Sequence, residues 1–267
     1  MALTQALSRQ EQRWFFLPPL LALLALAGIL VSDSNRTIFL LINQLSAFGG
    51  DNLWAHITVL GDAAVVLALL LPWWKRHPGL MAAAVIGALM ATLITHGIKP
   101  FADVLRPPAV LAADSFHLIG PAVRKHSFPS GHATTIFSFV GIMALLAVPA
   151  TARWANGARL LLLALAVVVA LSRSVVGVHW PVDLLGGFIG GWLSAVFGIL
   201  INRRYRWELK PAMRFSSLAF PGIAAGMLLF GYGTGYSAPV LMQKIIGGAC
   251  LLILAVTLIP RRARQTD

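Results

Sequence analysis

The chain is poor in charged residues and has almost no cysteine, and both shortages narrow its class. Only 11% of its 267 residues are charged, and nine are acidic, which is too few for the surface of a soluble domain of this size. The single cysteine, Cys250, excludes a disulfide within the chain. What fills the chain is apolar: 58% of the residues are hydrophobic and the mean hydropathy is +0.80. We therefore expect one polytopic membrane domain.

About eight apolar runs are long enough to cross a bilayer as helices, which takes about 20 residues each. They lie at 14–32, 57–74, 80–98, 132–149, 158–176, 181–201, 215–232 and 238–259. The predicted fold class is all-α, a polytopic helical bundle. It comprises a six-span core over 1–207 and a C-terminal two-span hairpin with a basic cytoplasmic tail over 208–267. A cleaved secretory signal is the alternative for the first run, and cleavage would leave the later orientations unchanged.

The net charge of +12 would suggest a nucleic-acid partner in a soluble protein, but here its distribution indicates topology, and we expect no nucleic acid to bind. Most cations follow alternate spans and so share one side of the membrane. They are Arg9, Arg13, Lys75, Arg76, Arg153, Arg159, Arg203, Arg204, Arg206, Lys210, Arg214, Arg261, Arg262 and Arg264. The positive-inside rule makes this side, with both termini, cytoplasmic.

Three polar clusters lie at the ends of spans on the opposite, outward side. They read Lys99-x6-Arg106-Pro107, Pro129-Ser130-Gly131-His132 and Ser172-Arg173-x5-His179-x3-Asp183. Ionisable residues beside membrane spans are costly and usually functional. The clusters therefore predict a site at the non-cytoplasmic surface.

The residue types in these clusters suit a phosphate. Lys99, Arg106 and Arg173 can bind phosphoryl oxygens and stabilise the charge of a transferring phosphoryl group, although a single arginine at this depth could instead contact lipid head groups. Ser130 can donate through its hydroxyl and its amide, and Gly131 permits close approach of the backbone at a helix N-terminus. An ordinary helix cap at Ser130 is the alternative interpretation.

The third cluster suits nucleophilic catalysis. Asp183 lies four residues after His179, within reach of its ring, and a carboxylate on one imidazole nitrogen makes the other more nucleophilic. Asp183 would also complement the helix dipole from the same position. His132 is placed to protonate a leaving oxygen.

The three clusters resemble the signature of the type 2 phosphatidic acid phosphatase superfamily, and every signature position is filled. The resemblance implies an integral-membrane lipid phosphatase that needs neither metal nor cofactor. In it His179 would be the nucleophile that forms a phosphohistidine, Asp183 would hold it and His132 would be the general acid. The phosphate-binding set would be Lys99, Arg106, Ser130, Gly131 and Arg173.

The resemblance also implies a lipid phosphate or pyrophosphate that reaches the site from the bilayer, at the outer face of a bacterial plasma membrane. Undecaprenyl pyrophosphate is the leading substrate, with lipid A 1-phosphate, phosphatidylglycerol phosphate and phosphoryl transfer between lipids as alternatives. The oligomeric state and any role of Asp62, at the outward end of the second span, stay open.

Two other classes remain alternatives. An eight-span protein could be a lipid transporter or flippase, but transporters usually carry their binding groups near the midplane on broken helices, whereas these clusters lie at span ends. A membrane anchor with a basic loop over 203–214 would not explain the outward clusters.

Overall fold

The computed structural model of the chain describes residues 8–149 and 152–259. Within these ranges the secondary structure is helical and contains no β-strand. The α-helices are α1 (Arg9–Val31), α2 (Asn35–Asn43), α3 (Gly50–Val59), α4 (Ala63–Ala68), α5 (Pro78–Ala102), α6 (Pro107–Val110), α7 (Gly131–Ile142), α8 (Ala155–Val175), α9 (Pro181–Tyr205), α10 (Pro211–Phe230) and α11 (Val240–Leu258). Arg261, Arg262 and Arg264 of the predicted basic tail lie outside the described residues.

The helices account for all eight apolar runs. Six stretches in the described ranges are long and apolar enough to span a membrane: α1, α5 taken with α6, α8, α9, α10 and α11. A bent pair, α3 and α4, forms a seventh if it is counted as one span. The remaining run corresponds to the shorter apolar helix α7, which continues as a π-helical turn to Ala147. The prediction of an all-helical polytopic fold is confirmed, whereas the boundary between core and hairpin stays a prediction.

The second span differs from the straight helix expected over 57–74. Its two halves meet at an angle of 55°. Asp62 causes the break, because its carboxylate accepts the Ala64 amide at 2.8 Å and so starts a new helix inside the apolar run. Gly61, directly before it, lies so close to His132 that a side chain there would crowd the imidazole. The bend thus brings the second span against the second polar cluster.

Helix α9 lies at the centre of the bundle and packs closely against α7 and α5. A Cβ atom at Gly191 would collide with the Thr134 carbonyl of α7, and one at Gly198 would collide with the Ala83 carbonyl of α5. Small residues let helix backbones approach in this way. Such close packing matters in a membrane, because the hydrophobic effect does little to hold helices together in lipid. The contact places the N-termini of α7 and α9 side by side, where the Ser130 amide donates to the Asp183 carbonyl at 3.0 Å.

The hairpin of α10 and α11 packs on the second span. Ala225 and Leu228 of α10 belong to the same apolar cluster as Val65 and Ala68 of α4. Gly247 of α11 has no room for a side chain, because the Ala225 carbonyl lies against it. The turn over 231–239 is consequently held at the same end of the bundle as the three clusters.

Candidate active site

The His179 imidazole and the Asp183 carboxylate form a buried pair. His179 lies in the turn between α8 and α9, and Asp183 lies in the first turn of α9. Nδ1 of His179 is 3.1 Å from Oδ2 of Asp183, and the two side chains are 3% and 0% exposed. The same oxygen accepts the Trp180 amide at 2.8 Å, which fixes the carboxylate at the helix start. A carboxylate on Nδ1 holds the proton there, so the unshared electron pair is on Nε2.

Ser127 completes this pair and was not predicted from the sequence. Its hydroxyl donates to Oδ2 of Asp183 at 2.5 Å and lies 3.5 Å from Nδ1 of His179. The side chain is fully buried, and its amide is tied to the Val104 carbonyl at 2.9 Å. The only available signal was its position three residues before Ser130, because a single serine in a loop forms no pattern.

Arg106 is buried in a ring of backbone carbonyls. The side chain is 7% exposed. Its Nε donates to the Lys125 carbonyl at 2.9 Å, and its two terminal nitrogens donate to the carbonyls of Val178 and His126 at 3.3 and 3.4 Å. A guanidinium has five N–H donors, so two remain for another acceptor. Arg106 therefore also anchors the long loop over 103–130 to the turn that carries His179.

Arg173, at the end of α8, is buried to the same degree but is held by side chains. It is 6% exposed, and its Nη1 donates to the Thr58 hydroxyl at 2.8 Å and to the Tyr236 hydroxyl at 3.2 Å. Its Nε is buried and has no hydrogen-bond partner among residues 8–149 and 152–259. Neither Thr58 nor Tyr236 was predicted from the sequence, because neutral hydroxyls distant in the chain give no motif. These contacts fix the direction of the guanidinium without neutralising it.

Charged residues from all three clusters affect the pKa of His179. Burial lowers the pKa of this imidazole well below its ordinary value of 6.5, and nearby positive charges lower it further. The groups that act in this way are, in decreasing order, Arg106, Arg173, Lys99 and His132. Because the shift favours the uncharged ring, His179 keeps a free electron pair at neutral pH. Lys99, in the last turn of α5, is the half-buried member of the cation set.

The Pro-Ser-Gly-His segment opens α7. Ser130 is fully buried and caps the helix, since its hydroxyl accepts the Ala133 amide at 3.4 Å. Its own amide is already bonded to the Asp183 carbonyl, so only its hydroxyl and the Gly131 amide are left as donors for a ligand. This geometry fits an ordinary helix cap at Ser130. It also fits a cradle for phosphoryl oxygens that has fewer donors than the sequence predicts. His132 follows in the first turn of α7.

An apolar cavity of about 260 Å³ begins beside His132. Helices α4, α5 and α7 line it, with Asp62, His132 and Thr95 at its polar end and Leu70 and Ile142 farther in. Asp62 itself is buried, and it accepts the Tyr232 hydroxyl at 3.4 Å. The site therefore joins a cation-lined polar centre to an apolar chamber, an arrangement suited to an amphipathic ligand with an anionic head.

The matched family agrees with this architecture. Residues 78–207 match the sequence model of the PAP2 superfamily. The chain contains a PAP2 superfamily domain. All eight predicted site residues lie inside the PAP2 domain, whereas Thr58, Asp62, Tyr232 and Tyr236 lie outside it.

Named relatives of the PAP2 domain include two phosphatases. The chain is 30% identical over 151 residues to the undecaprenyl-diphosphatase of Sulfolobus acidocaldarius, an alignment that covers 56% of this chain and 64% of the relative. It is 37% identical over 78 residues to the lipid A 1-phosphatase of Rhizobium etli, covering 29% of this chain and 30% of the relative. The chain thus spans between about a third and two thirds of the length of these curated relatives.

A solved structure shares the fold. The crystal structure of Aquifex aeolicus LpxE matches with a TM-score of 0.54 and 23% identity, over 62% of this chain and 94% of the other. The likeness supports the helical arrangement of the PAP2 domain.

Proposed function

We propose that the chain is a membrane phosphatase that hydrolyses the phosphate or pyrophosphate group of a lipid. The observation that carries the proposal is the buried His179–Asp183 pair, whose imidazole feels the charges of Arg106, Arg173 and Lys99. An apolar cavity lined by Gly131 and His132 of the second cluster lies in the same bundle. The phosphatase names of the relatives support the proposal.

In the first step Nε2 of His179 attacks the phosphorus atom, and the bond between phosphorus and the leaving oxygen breaks. Asp183 stabilises the positive charge that develops on the ring, and Ser127 holds the carboxylate in place. His132 gives its proton to the leaving oxygen. The products are a phosphohistidine and the dephosphorylated lipid, or the lipid monophosphate when the substrate is a pyrophosphate.

In the second step water attacks the phosphohistidine. His132, now neutral, takes a proton from the water, the bond between phosphorus and Nε2 breaks, and inorganic phosphate leaves. The site returns to its starting protonation state. No cofactor and no metal takes part in either step.

The phosphoryl oxygens are bound by the cations and by the start of α7. Lys99 supplies a point charge, and Arg106 and Arg173 supply the N–H donors that their protein partners leave free. The Ser130 hydroxyl and the Gly131 amide complete the set. Because Arg106, Arg173 and Ser130 are buried and fixed by their protein partners, they stabilise the charge of the transition state without reorganising.

The lipid tail lies in the apolar cavity between α4, α5 and α7 and reaches it laterally from the bilayer. A volume of about 260 Å³ is small beside the roughly 300–1,000 Å³ of a typical ligand site, so only the part of the tail nearest the head group is enclosed. The rest of the tail stays in the membrane.

Undecaprenyl pyrophosphate is the preferred substrate. The alignment with the relative named undecaprenyl-diphosphatase covers nearly twice as much of this chain as the alignment with the lipid A 1-phosphatase, 56% against 29%. A pyrophosphate also brings more negative charge to three cations than a monoester does. Lipid A 1-phosphate, phosphatidylglycerol phosphate and transfer of the phosphoryl group to another lipid are the alternative outcomes of the test.

The site faces outward from a bacterial plasma membrane, with both termini in the cytoplasm. The alternation of cations between successive spans supports this orientation. We also propose the division into a phosphatase core over 1–207 and a hairpin over 208–267, which the end of the PAP2 match at residue 207 supports.

The test is phosphate release by the purified protein and its His179→Ala variant in detergent with chelator present. The substrates are undecaprenyl pyrophosphate, lipid A, phosphatidylglycerol phosphate and phosphatidic acid. We expect one of them to be strongly preferred and the variant to lose at least 10³-fold in rate. Equal release by the variant would disprove the role of His179. Lipid movement across vesicles without any phosphate release would favour a transporter.

A further inference from the structure

The turn between α10 and α11 reaches into the site from outside the PAP2 domain. Tyr236, in this turn, is buried and accepts a hydrogen bond from Nη1 of Arg173 at 3.2 Å. Tyr232, at the start of the same turn, donates to the Asp62 carboxylate at 3.4 Å. The hairpin therefore contacts both the cation set and the polar end of the cavity.

The position of Tyr236 is fixed on several sides. Its ring lies against Gly120, whose φ of +83° and missing side chain leave the space that the ring occupies. Gly235, next to it, packs against Pro121 of the same loop. The turn is tied to α11 by Gln243, a buried side chain that donates to the Thr234 hydroxyl at 2.7 Å. A phenol held this firmly can orient the group that bonds to it.

The partners of Arg173 are neutral. Within the described residues its guanidinium forms no ion pair and bonds to two hydroxyls, those of Thr58 and Tyr236. The Asp62 carboxylate, which feels the charge of Arg173, is occupied by the Ala64 amide and the Tyr232 hydroxyl. A carboxylate partner would cancel the charge that an anion needs, whereas a hydroxyl fixes direction and leaves the charge available.

We propose that Tyr236 is a positioning residue that orients Arg173 toward the phosphoryl group, so that the C-terminal hairpin completes the anion site of the PAP2 domain. This inference rests on the proposed function for its kinetic consequence. Its binding consequence, the affinity for inorganic phosphate, does not require that the lipid substrate be known.

The test compares Tyr236→Phe with Tyr205→Phe, a matched loss of a hydroxyl at an exposed tyrosine at the far end of α9. Orthophosphate binding is measured by calorimetry on the full chain in detergent, together with KM and kcat for the preferred lipid. We expect Tyr236→Phe to weaken orthophosphate binding about tenfold and to raise KM, with the melting temperature unchanged. Tyr205→Phe should behave as wild type.

A double-mutant cycle separates positioning from a merely structural role. In an Arg173→Lys background, Tyr236→Phe should change orthophosphate affinity less than twofold, because Lys lacks the planar fork that the phenol aligns. An equal tenfold loss in that background would overturn the proposal. So would a Tyr236→Phe variant with wild-type affinity. If Tyr236→Phe does not fold, Tyr236→Met removes the same hydroxyl with a more adaptable side chain, and wild-type orthophosphate affinity in that variant overturns the proposal as well.

The outcomes also separate this inference from the proposed function. If the wild-type protein hydrolyses a lipid and Tyr236→Phe binds orthophosphate with wild-type affinity, only the positioning role is ruled out. If the wild-type protein hydrolyses none of the lipids but Tyr236→Phe binds orthophosphate more weakly than wild type, the proposed hydrolase function is ruled out and the positioning role is kept. Wild-type protein that neither hydrolyses nor binds orthophosphate removes both.

Discussion

Two arginines at the far end of α9 and two at the site end of the bundle are held in opposite ways. At the far end of α9, Arg203 and Arg206 are 44% and 64% exposed, and they pair with Glu11 and Glu208. At the site end, Arg106 and Arg173 are buried and bond to carbonyls and hydroxyls, with no ion pair in the described part of the chain. Buried cations without a counterion are costly unless something else supplies the negative charge. The difference indicates that Arg106 and Arg173, unlike Arg203 and Arg206, keep their charge available for an anion.

The largest expected difference is between Asp183 at the site end and Glu208 at the far end. Asp183→Asn keeps the shape of the side chain but removes the charge that stabilises His179, so we expect phosphate release to fall about 10³-fold or more. Glu208→Gln, which removes a carboxylate paired with an exposed arginine, should change the rate less than twofold. Steady-state kinetics on the preferred lipid measure both, and similar losses in the two variants would contradict the comparison.

The arginines themselves give the next largest difference. Arg173→Gln removes a buried cation beside the phosphoryl group, and we expect kcat/KM to fall about 10²-fold, which corresponds to about 2.7 kcal/mol. Arg203→Gln breaks an exposed ion pair, which contributes about 0–1 kcal/mol to stability and nothing to the site. The same assay, with thermal unfolding as a check on folding, distinguishes them. A wild-type kcat/KM in Arg173→Gln would show that this cation does not bind the substrate.

A neutral side chain at the site, Ser127, should have a smaller effect on the rate than the charged residues. Ser127→Ala removes one of the hydrogen bonds to Asp183 and leaves the Trp180 amide in place, so we expect about a tenfold loss of kcat with little change in KM. Ser216→Ala, on the exposed part of α10, serves as the control. An unchanged kcat would mean that the helix start alone fixes the carboxylate.

The pH dependence of kcat/KM shows how far the nearby cations lower the pKa of His179. Burial and the nearby charges lower the pKa of this group, so the neutral nucleophile persists as pH falls below 6.5, and activity limited by His179 is lost only at a lower pH. Removing one cation in Arg106→Gln should raise the pKa and move the acidic limb of kcat/KM upward by less than about one pH unit. Arg203→Gln should leave the limb in place. A downward shift in Arg106→Gln would contradict the assigned electrostatics.

Chelation should have the smallest effect. Because the proposed steps use His179, His132 and cationic side chains, EDTA should leave the rate within twofold of its original value. The measurement is phosphate release before and after dialysis against EDTA. A large loss that added Mg²⁺ or Zn²⁺ restores would show that a metal takes part.

The fold could be predicted from the sequence to the extent that hydropathy determines it. Each of the eight apolar runs corresponds to helical structure, and six of them to single helices long enough to span a membrane, because a stretch of about 20 apolar residues has few other stable conformations. The bend at Gly61 and Asp62 was missed, since a single carboxylate changes the mean hydropathy of a run very little. Whether it would cap a new helix depends on the fold around it.

The site was predictable where its residues form motifs and not where they are isolated. The three clusters were identified because charged residues are rare in this chain. Ser127, Thr58 and Tyr236 are neutral, and two of them meet Arg173 from distant parts of the sequence. One signal was available: the chain has only three tyrosines, and two lie in a turn that was interpreted as a simple hairpin connection.

The close contact between α7 and α9 has a mechanical consequence. Since glycines bring the two backbones together and the Ser130 amide bonds to the Asp183 carbonyl, we expect the start of α7 and Asp183 to move together. We therefore expect an opening that admits a lipid to involve the wall of the cavity formed by α4, which is only six residues long and bends away from α3. We expect amide hydrogen exchange to be slowest at the starts of α7 and α9 and faster in α4, and equal protection of all three would show that the chamber opens as a whole.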